Sequence, residues 1–205
     1  MIFMKTLFLA LAALAFIASP MAAHAAPEIG KPAPEFTGTD SNGNVHKLSD
    51  FKGKTVVLEW TNPQCPFVVK HYESGNMQKL QAEYTAKDVV WLSINSSAAG
   101  KEGNQSAEEA NTYMDDKKSA PTARILDPKG EIGKLYGAKV TPHMFIVNKE
   151  GVLVYEGAID DNDSNKQEDI ATSKNYVKAA LDSLAEGKPI ESAQTKAYGC
   201  GVKYE

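Results

Sequence analysis

The chain has 205 residues, 22 basic against 26 acidic, a net charge of −4, and two cysteines, Cys65 and Cys200. Its single arginine, Arg124, and the lack of any basic block leave nucleic-acid binding unsupported, because phosphate contacts need clustered Lys and Arg. The length suits one domain with a proper core.

At the N-terminus Lys5 precedes an apolar stretch from Leu7 to Ala18, about a dozen residues and too short to span a bilayer. Pro20 breaks it, and Ala23-His24-Ala25 offers small residues at the −3 and −1 positions of a cleavage site. This predicts a signal peptide over residues 1–25 and an exported, periplasmic chain with no membrane span after cleavage. Residues 26–205 then form one domain with a cysteine-bearing tail. Two cysteines in an oxidising compartment form a disulfide or a reactive pair that cycles.

From Pro27 to Asp40 the chain reads as an extended lead-in, and Ser41-Asn42-Gly43-Asn44 as a turn. Thr55-Val56-Val57-Leu58-Glu59-Trp60 has the continuous apolar pattern of a buried strand. Pro66 suits a first helical turn, and the helix runs, interrupted at Gly75, towards Lys87. Val89 to Ile94 is a second buried strand, and Ser106 with Glu109 forms a capping-box start for a helix to Lys117. A short strand at Thr122–Leu126 and a helix from Gly130 to Tyr136 follow. Met144–Val147 and Val152–Tyr155 flank Asn148-Lys149-Glu150-Gly151 as a hairpin. Asp160 to Asp169 reads as a solvated loop; a calcium loop from Asp161 fails, because Lys166 and Thr172 stand where Gly and Glu belong. Ser173–Glu186 is an amphipathic helix, and the tail from Pro189 has no periodicity. The order predicts an α/β fold with a central mixed sheet flanked by helices.

Cys65 lies in Asn62-Pro63-Gln64-Cys65-Pro66-Phe67-Val68, between a strand and the head of a helix. There its sulfur meets unpaired backbone N–H groups and the positive end of the helix dipole, which favour thiolate, the nucleophilic form. Three residues on, where a partner thiol is usually found, stands Val68. Trp60 is expected to pack beside this turn. Glu59, on the same strand, is either a proton-transfer group or a carboxylate pointing outward.

These residues resemble the thioredoxin fold and, within it, the exported peroxiredoxin-like redoxin family, which includes alkyl hydroperoxide reductase and thiol-specific antioxidant proteins. The resemblance is carried by Trp60–Val68, Asp127-Pro128-Lys129-Gly130, Leu135-Tyr136-Gly137, Thr141-Pro142-His143-Met144-Phe145-Ile146-Val147 and Tyr198-Gly199-Cys200-Gly201-Val202-Lys203. It implies a cis Thr141–Pro142 bond facing Cys65, with Thr141 presenting its backbone to an extended substrate. It also implies a thiol oxidoreductase with Cys65 reactive, Cys200 as resolving partner, and Thr141, Pro142, Trp60 and Pro66 around the substrate. Partners would be protein or small-molecule thiols and disulfides, with an external reductant. No organic cofactor is implied, and no metal site is assigned.

The chain departs from true peroxiredoxins in the groups that handle peroxide. Leu58 and Asn62 stand seven and three residues before Cys65, in place of the family's Pro and Thr or Ser, and Arg124 comes too early to serve as its arginine. Two alternatives to redox cycling stay open. One is a copper-handling site built from Cys65, His71 and His143, as in copper chaperones of this fold. The other is a scaffold closed by a permanent Cys65–Cys200 disulfide.

Overall fold

The computed structural model describes residues 26–205; the expected signal peptide lies outside the described residues. A hairpin comes first, β1 (Thr37–Asp40) and β2 (Val45–Lys47). The Asp40 carboxylate accepts the N–H groups of Asn42 (2.9 Å) and Asn44 (2.8 Å), and Gly43 takes the φ of 84° that the turn needs. A 3₁₀ turn (Leu48–Phe51) leads to β3 (Val56–Trp60). Gly75, at φ 73°, then divides the expected long helix into α1 (Pro66–Glu73) and α2 (Asn76–Thr85).

β4 (Val90–Asn95) follows, and then α3 (Ala107–Lys117), which opens with the expected capping box between Ser106 and Glu109. β5 (Ala123–Leu126), α4 (Glu131–Tyr136), the two-residue β6 (Val140–Thr141), β7 (His143–Val147) and β8 (Leu153–Gly157) come next. The expected polar loop holds a 3₁₀ turn at Gln167–Thr172. The last helix, α5 (Tyr176–Ala185), starts later than Ser173 because Asn175 caps it, accepting the Lys178 N–H at 2.8 Å. The tail, expected to be irregular, contributes β9 (Cys200–Gly201).

Seven strands form one sheet in the order β2-β1-β5-β4-β3-β7-β8, with β3, β4 and β5 mutually parallel and the outer pairs antiparallel. β6 and β9 make a separate two-stranded ladder. β3 sits between β4 and β7 and is buried along its whole length, which is why its sequence is apolar at every position but Glu59. Leu58 and Trp60 face one core with Phe36, Ile125, Tyr136 and Phe145. Val57 joins the other, with Val68, Tyr72, Met77, Leu80, Val177 and Leu181 from α1, α2 and α5. Each such aliphatic side chain contributes roughly 1.5–3 kcal/mol on burial. Cys65 belongs to this second core, at the C-terminal end of β3. The layered mixed sheet is the thioredoxin fold that the motifs implied.

Candidate functional site

The turn that carries Cys65 is held by Asn62. Its Oδ1 accepts the Gln64 N–H at 2.8 Å, its backbone oxygen accepts the Cys65 N–H at 3.1 Å, and its Nδ2 donates to the Glu102 carbonyl at 3.2 Å. Gly103 lets this happen, since a Cβ there would stand 2.0 Å from the Asn62 Oδ1. Cys65 is the N-cap of α1, with Pro66 exposed in the first turn. Its sulfur makes no hydrogen bond to the first-turn amides. The thiol turns the other way and donates to the Thr141 carbonyl at 3.1 Å. It has no exposed surface. Val68 fills the place of a second thiol with a buried aliphatic side chain.

Thr141–Pro142 is a cis peptide, as the resemblance implies. Thr141 does not present a free edge, however. It pairs in antiparallel register with Cys200, as Val140 does with Gly201, and the Val202 N–H donates to the Lys139 carbonyl at 3.0 Å. Gly199 makes this approach possible: at φ 136°, a Cβ on it would lie 2.0 Å from the Thr141 oxygen. Both cysteines are free thiols, Cys65 buried and Cys200 half-buried. Burial pushes the Cys200 thiol up to about 12, reinforced by the neighbouring Cys65 and by Glu102; Lys203 opposes them. Cys200 therefore keeps its proton at neutral pH, packed against the core that contains Cys65.

A buried polar cluster flanks the pair. The Lys70 ammonium, its side chain 0% exposed, donates to the carbonyls of Asn162 and Ser164 at 2.9 Å each and to the Tyr198 hydroxyl at 3.3 Å, 3.6 Å from the Asp160 carboxylate. The Tyr198 hydroxyl donates to Asp160. Burial, then Asp160, hold that phenol well above its ordinary range, so it remains a donor. The Tyr198 ring packs edge-on to Phe67 at 5.8 Å, and Lys70 lies 5.3 Å from its centroid. Asp160 to Ser164, read from sequence as a solvated loop, thus wraps a buried lysine.

Trp60 lies elsewhere than the sequence suggests. Strand alternation turns it to the opposite core, where it packs on Tyr136 and Phe145 and donates to Ser96 Oγ at 3.0 Å. It offers no surface to a substrate. Glu59 points inward, with Tyr72 (2.7 Å), Trp91 (2.7 Å) and Gln81 (3.1 Å) donating to its carboxylate. Burial raises its pKa, against those hydrogen bonds and the Arg124 charge. Arg124 itself sits on β5 and donates to Gln105 at 2.6 Å; Leu58 is a core residue. The peroxide-handling positions are therefore taken up by packing and turn geometry.

His71 and His143 do not assemble with Cys65 into a metal site. Asn76 donates to His71 Nδ1 at 2.9 Å, and His71 Nε2 faces the Tyr198 hydroxyl at 3.4 Å. His143 stacks near Phe145, with Nδ1 accepting the Lys139 N–H at 3.4 Å. Among the described residues, no three His, Cys, Asp or Glu side chains converge as metal ligands would.

Lys70, Asp160 and Tyr198 escaped sequence reasoning as site residues. A lysine on a helix reads as solvated, and only its place five residues after Cys65 could have marked it.

The redoxin family model matches residues 28–174. The thiol-disulfide oxidoreductase ResA of Bacillus thuringiensis is 33% identical over 129 residues, 63% of this chain and 69% of that protein. Among solved structures, an uncharacterized conserved protein from Geobacillus kaustophilus superposes with a TM-score of 0.75 at 30% identity, over 87% of this chain and 93% of the other. A protein from Chlorobium tepidum assigned as thiol:disulfide interchange protein DsbE gives 0.52 at 26% identity, over 64% and 85%. The chain belongs to the redoxin family, on a thioredoxin fold similar to those of ResA- and DsbE-type thiol-disulfide oxidoreductases.

Proposed function

We propose that the protein is an exported thiol-disulfide oxidoreductase in which Cys65 is the exchanging thiol and Cys200 the resolving thiol. The observation that carries this reading is that one residue holds both cysteines: the Cys65 thiol donates to the Thr141 carbonyl at 3.1 Å, and Cys200 pairs in register with Thr141. Cys65, once deprotonated, attacks one sulfur of a substrate disulfide; a mixed disulfide forms and the other substrate sulfur leaves as a thiol. Cys200 then gives up its proton and attacks the Cys65 sulfur, releasing the second substrate thiol. Two electrons and two protons pass to the substrate, and the protein is left with a Cys65–Cys200 disulfide. An external dithiol returns it to the starting state. The reverse sequence oxidises a substrate dithiol.

Thr141 and Pro142 wall the approach, with Pro66 beside the sulfur. The sequence pattern of residues 1–25, read as a signal peptide, supports export, and among the described residues no helix is long and apolar enough to cross a membrane. Peroxide reduction is the weaker use of the same pair, because the groups that would polarise a peroxide are absent. Oxidation of the purified protein followed by differential alkylation and mass mapping tests the assignment. A Cys65–Cys200 link that reforms after reduction is expected; two free thiols after oxidation would remove it.

The complete burial of Cys65 favours a second reading, a permanent structural disulfide. A reduction potential below about −300 mV would mark the bond as a staple; a higher value marks a cycling pair.

A further inference from the structure

Cys65 has no exposed surface, so no incoming disulfide reaches it while the tail stays where it is. The tail is a strap between two pins. Upstream, the Thr195 N–H donates to the Glu156 carbonyl at 3.0 Å and its hydroxyl accepts the Ala158 N–H at 2.9 Å. Downstream, the Tyr204 hydroxyl donates to the Ala138 carbonyl at 2.8 Å and the Lys203 carbonyl accepts the Ala98 N–H at 2.8 Å. Between the pins, Tyr198 and Cys200 pack against the core that contains Cys65. The ladder to β6, the Val202 N–H on the Lys139 carbonyl, the Thr141 hydroxyl on the Cys200 carbonyl at 3.5 Å and the Tyr198 side chain hold this middle section down.

Building on the exchange reading proposed above, we infer that Lys70, Asp160 and Tyr198 form a latch that seats the strap over Cys65 and yields to an extended, disulfide-bearing segment of a polypeptide substrate. They are positioning residues: they act through the strap and touch neither reacting sulfur.

The cluster is built to release a phenol without penalty to its own charges. With Tyr198 withdrawn, Lys70 keeps the Asn162 and Ser164 carbonyls at 2.9 Å and Asp160 at 3.6 Å. Asp160 likewise keeps the Asn162 N–H at 3.1 Å. His71 Nε2 gives up the Tyr198 hydroxyl but stays 3.7 Å from the Asp160 carboxylate. No buried charge is orphaned, and that is the condition under which a buried polar cluster can open and close. The edge uncovered is that of Val140 and Thr141, which now pairs with Cys200 and Gly201. An extended chain adds to such an edge through the same backbone hydrogen bonds. A cleft of about 490 Å³, lined by Val140, Asp160, Tyr198 and Gly199 among others, runs along the strap and gives both segments room to change places.

The test is the rate at which iodoacetamide alkylates Cys65 in the folded protein carrying Cys200→Ser, which leaves Cys65 as the sole thiol. Slow labelling is expected. Tyr198→Phe, which removes only the hydroxyl, should speed it at least tenfold. Gly199→Ala, whose Cβ collides with the Thr141 oxygen, should do so by an independent route. Hydrogen exchange should show faster exchange at Val202 and unchanged protection in β3 and β4. Acceleration by Gly199→Ala alone overturns the latch, unchanged rates in both variants overturn the cover, and acceleration with lost protection in β3 means general unfolding and counts against both. No disulfide forms in this background, so the result stands apart from whether Cys65 and Cys200 cycle.

Discussion

Thr141 pairs with Cys200 across a two-residue antiparallel ladder, and the same Thr141 offers its carbonyl to the Cys65 thiol at 3.1 Å. One backbone position thus fixes both sulfurs. It sits next to the cis Pro142, at the entry to β7, a strand paired along its length with β3. Cys65 follows the other end of β3. The two thiols, far apart in sequence, are therefore positioned by one rigid strand pair and a single turn on each side.

This shared pivot separates the roles of the two cysteines. With a disulfide-bearing peptide as substrate, Cys65→Ser should abolish exchange, reducing turnover by about a thousandfold or more, as expected for loss of a nucleophile. Cys200→Ser should still attack but fail to resolve, so a stable mixed disulfide at Cys65 should accumulate and appear in the intact mass. Accumulation on Cys200 in the Cys65→Ser protein would reverse the assignment.

Val68 leads to a redirection experiment. It is buried in the first turn of α1, and Val68→Cys restores a Cys-x-x-Cys spacing at a cost of about 1 kcal/mol in packing. The closer thiol should capture Cys65 on oxidation. Mass mapping should find Cys65 linked to residue 68 and Cys200 free. A persistent Cys65–Cys200 link would mean that the tail outcompetes a thiol in the same turn.

How much of this was legible in the sequence depends on how locally each feature is determined. The run Thr55–Trp60 announced a central strand because both of its faces are buried, and Ser106 with Glu109 announced α3 because the cap is complete within four residues. Gly75 was visible as an interruption, though it ends one helix and starts another. The partner of Cys200 was not legible by pattern, since β9 has two residues and its ladder joins segments about sixty residues apart. Trp60 was misplaced because the side of a fully buried strand cannot be read from alternation when both sides are apolar. Lys70 went unnoticed for the opposite reason: its charge suggests water, and the carbonyls and the Asp160 carboxylate of a distant loop make its burial tolerable.

Glu59 sets up a test in which sign matters. Burial raises its pKa in the folded chain above the ordinary glutamate value, so folding favours the protonated form. Its contribution is therefore most favourable at low pH and is lost as pH rises through the ordinary glutamate range and on towards the raised value. Glu59→Gln should flatten that decline. Its oxygen can still accept from Trp91 and Gln81, and its amide can donate to the Tyr72 hydroxyl. Glu59→Leu should cost about 2–4 kcal/mol, because it strands those buried donors. Urea unfolding at several pH values separates the two. Equal destabilisation by Gln and Leu would show that the carboxylate charge itself is needed.

The buried histidines bend stability the other way. Burial, with Lys70 nearby, lowers His71 to about 3; burial, with Lys139 nearby, lowers His143 to about 4. Both stay neutral in the folded chain at pH values where the unfolded chain takes up protons, near the ordinary histidine value of about 6.5. Unfolding is then favoured as pH falls below that value, by about 2 kcal/mol per histidine at about pH 5. Glu59 acts with the opposite sign over an overlapping range, so the Glu59→Gln background is the place to measure it. Urea unfolding there should lose stability from pH 7 to pH 5 with an uptake approaching about two protons, and His143→Gln should remove about half of the slope. Ring resonances of His71 and His143 should stay at their neutral positions throughout. A flat profile, or titrating rings in the folded protein, would mean that water reaches these imidazoles and that the core around the Lys70 cluster is looser than its geometry implies.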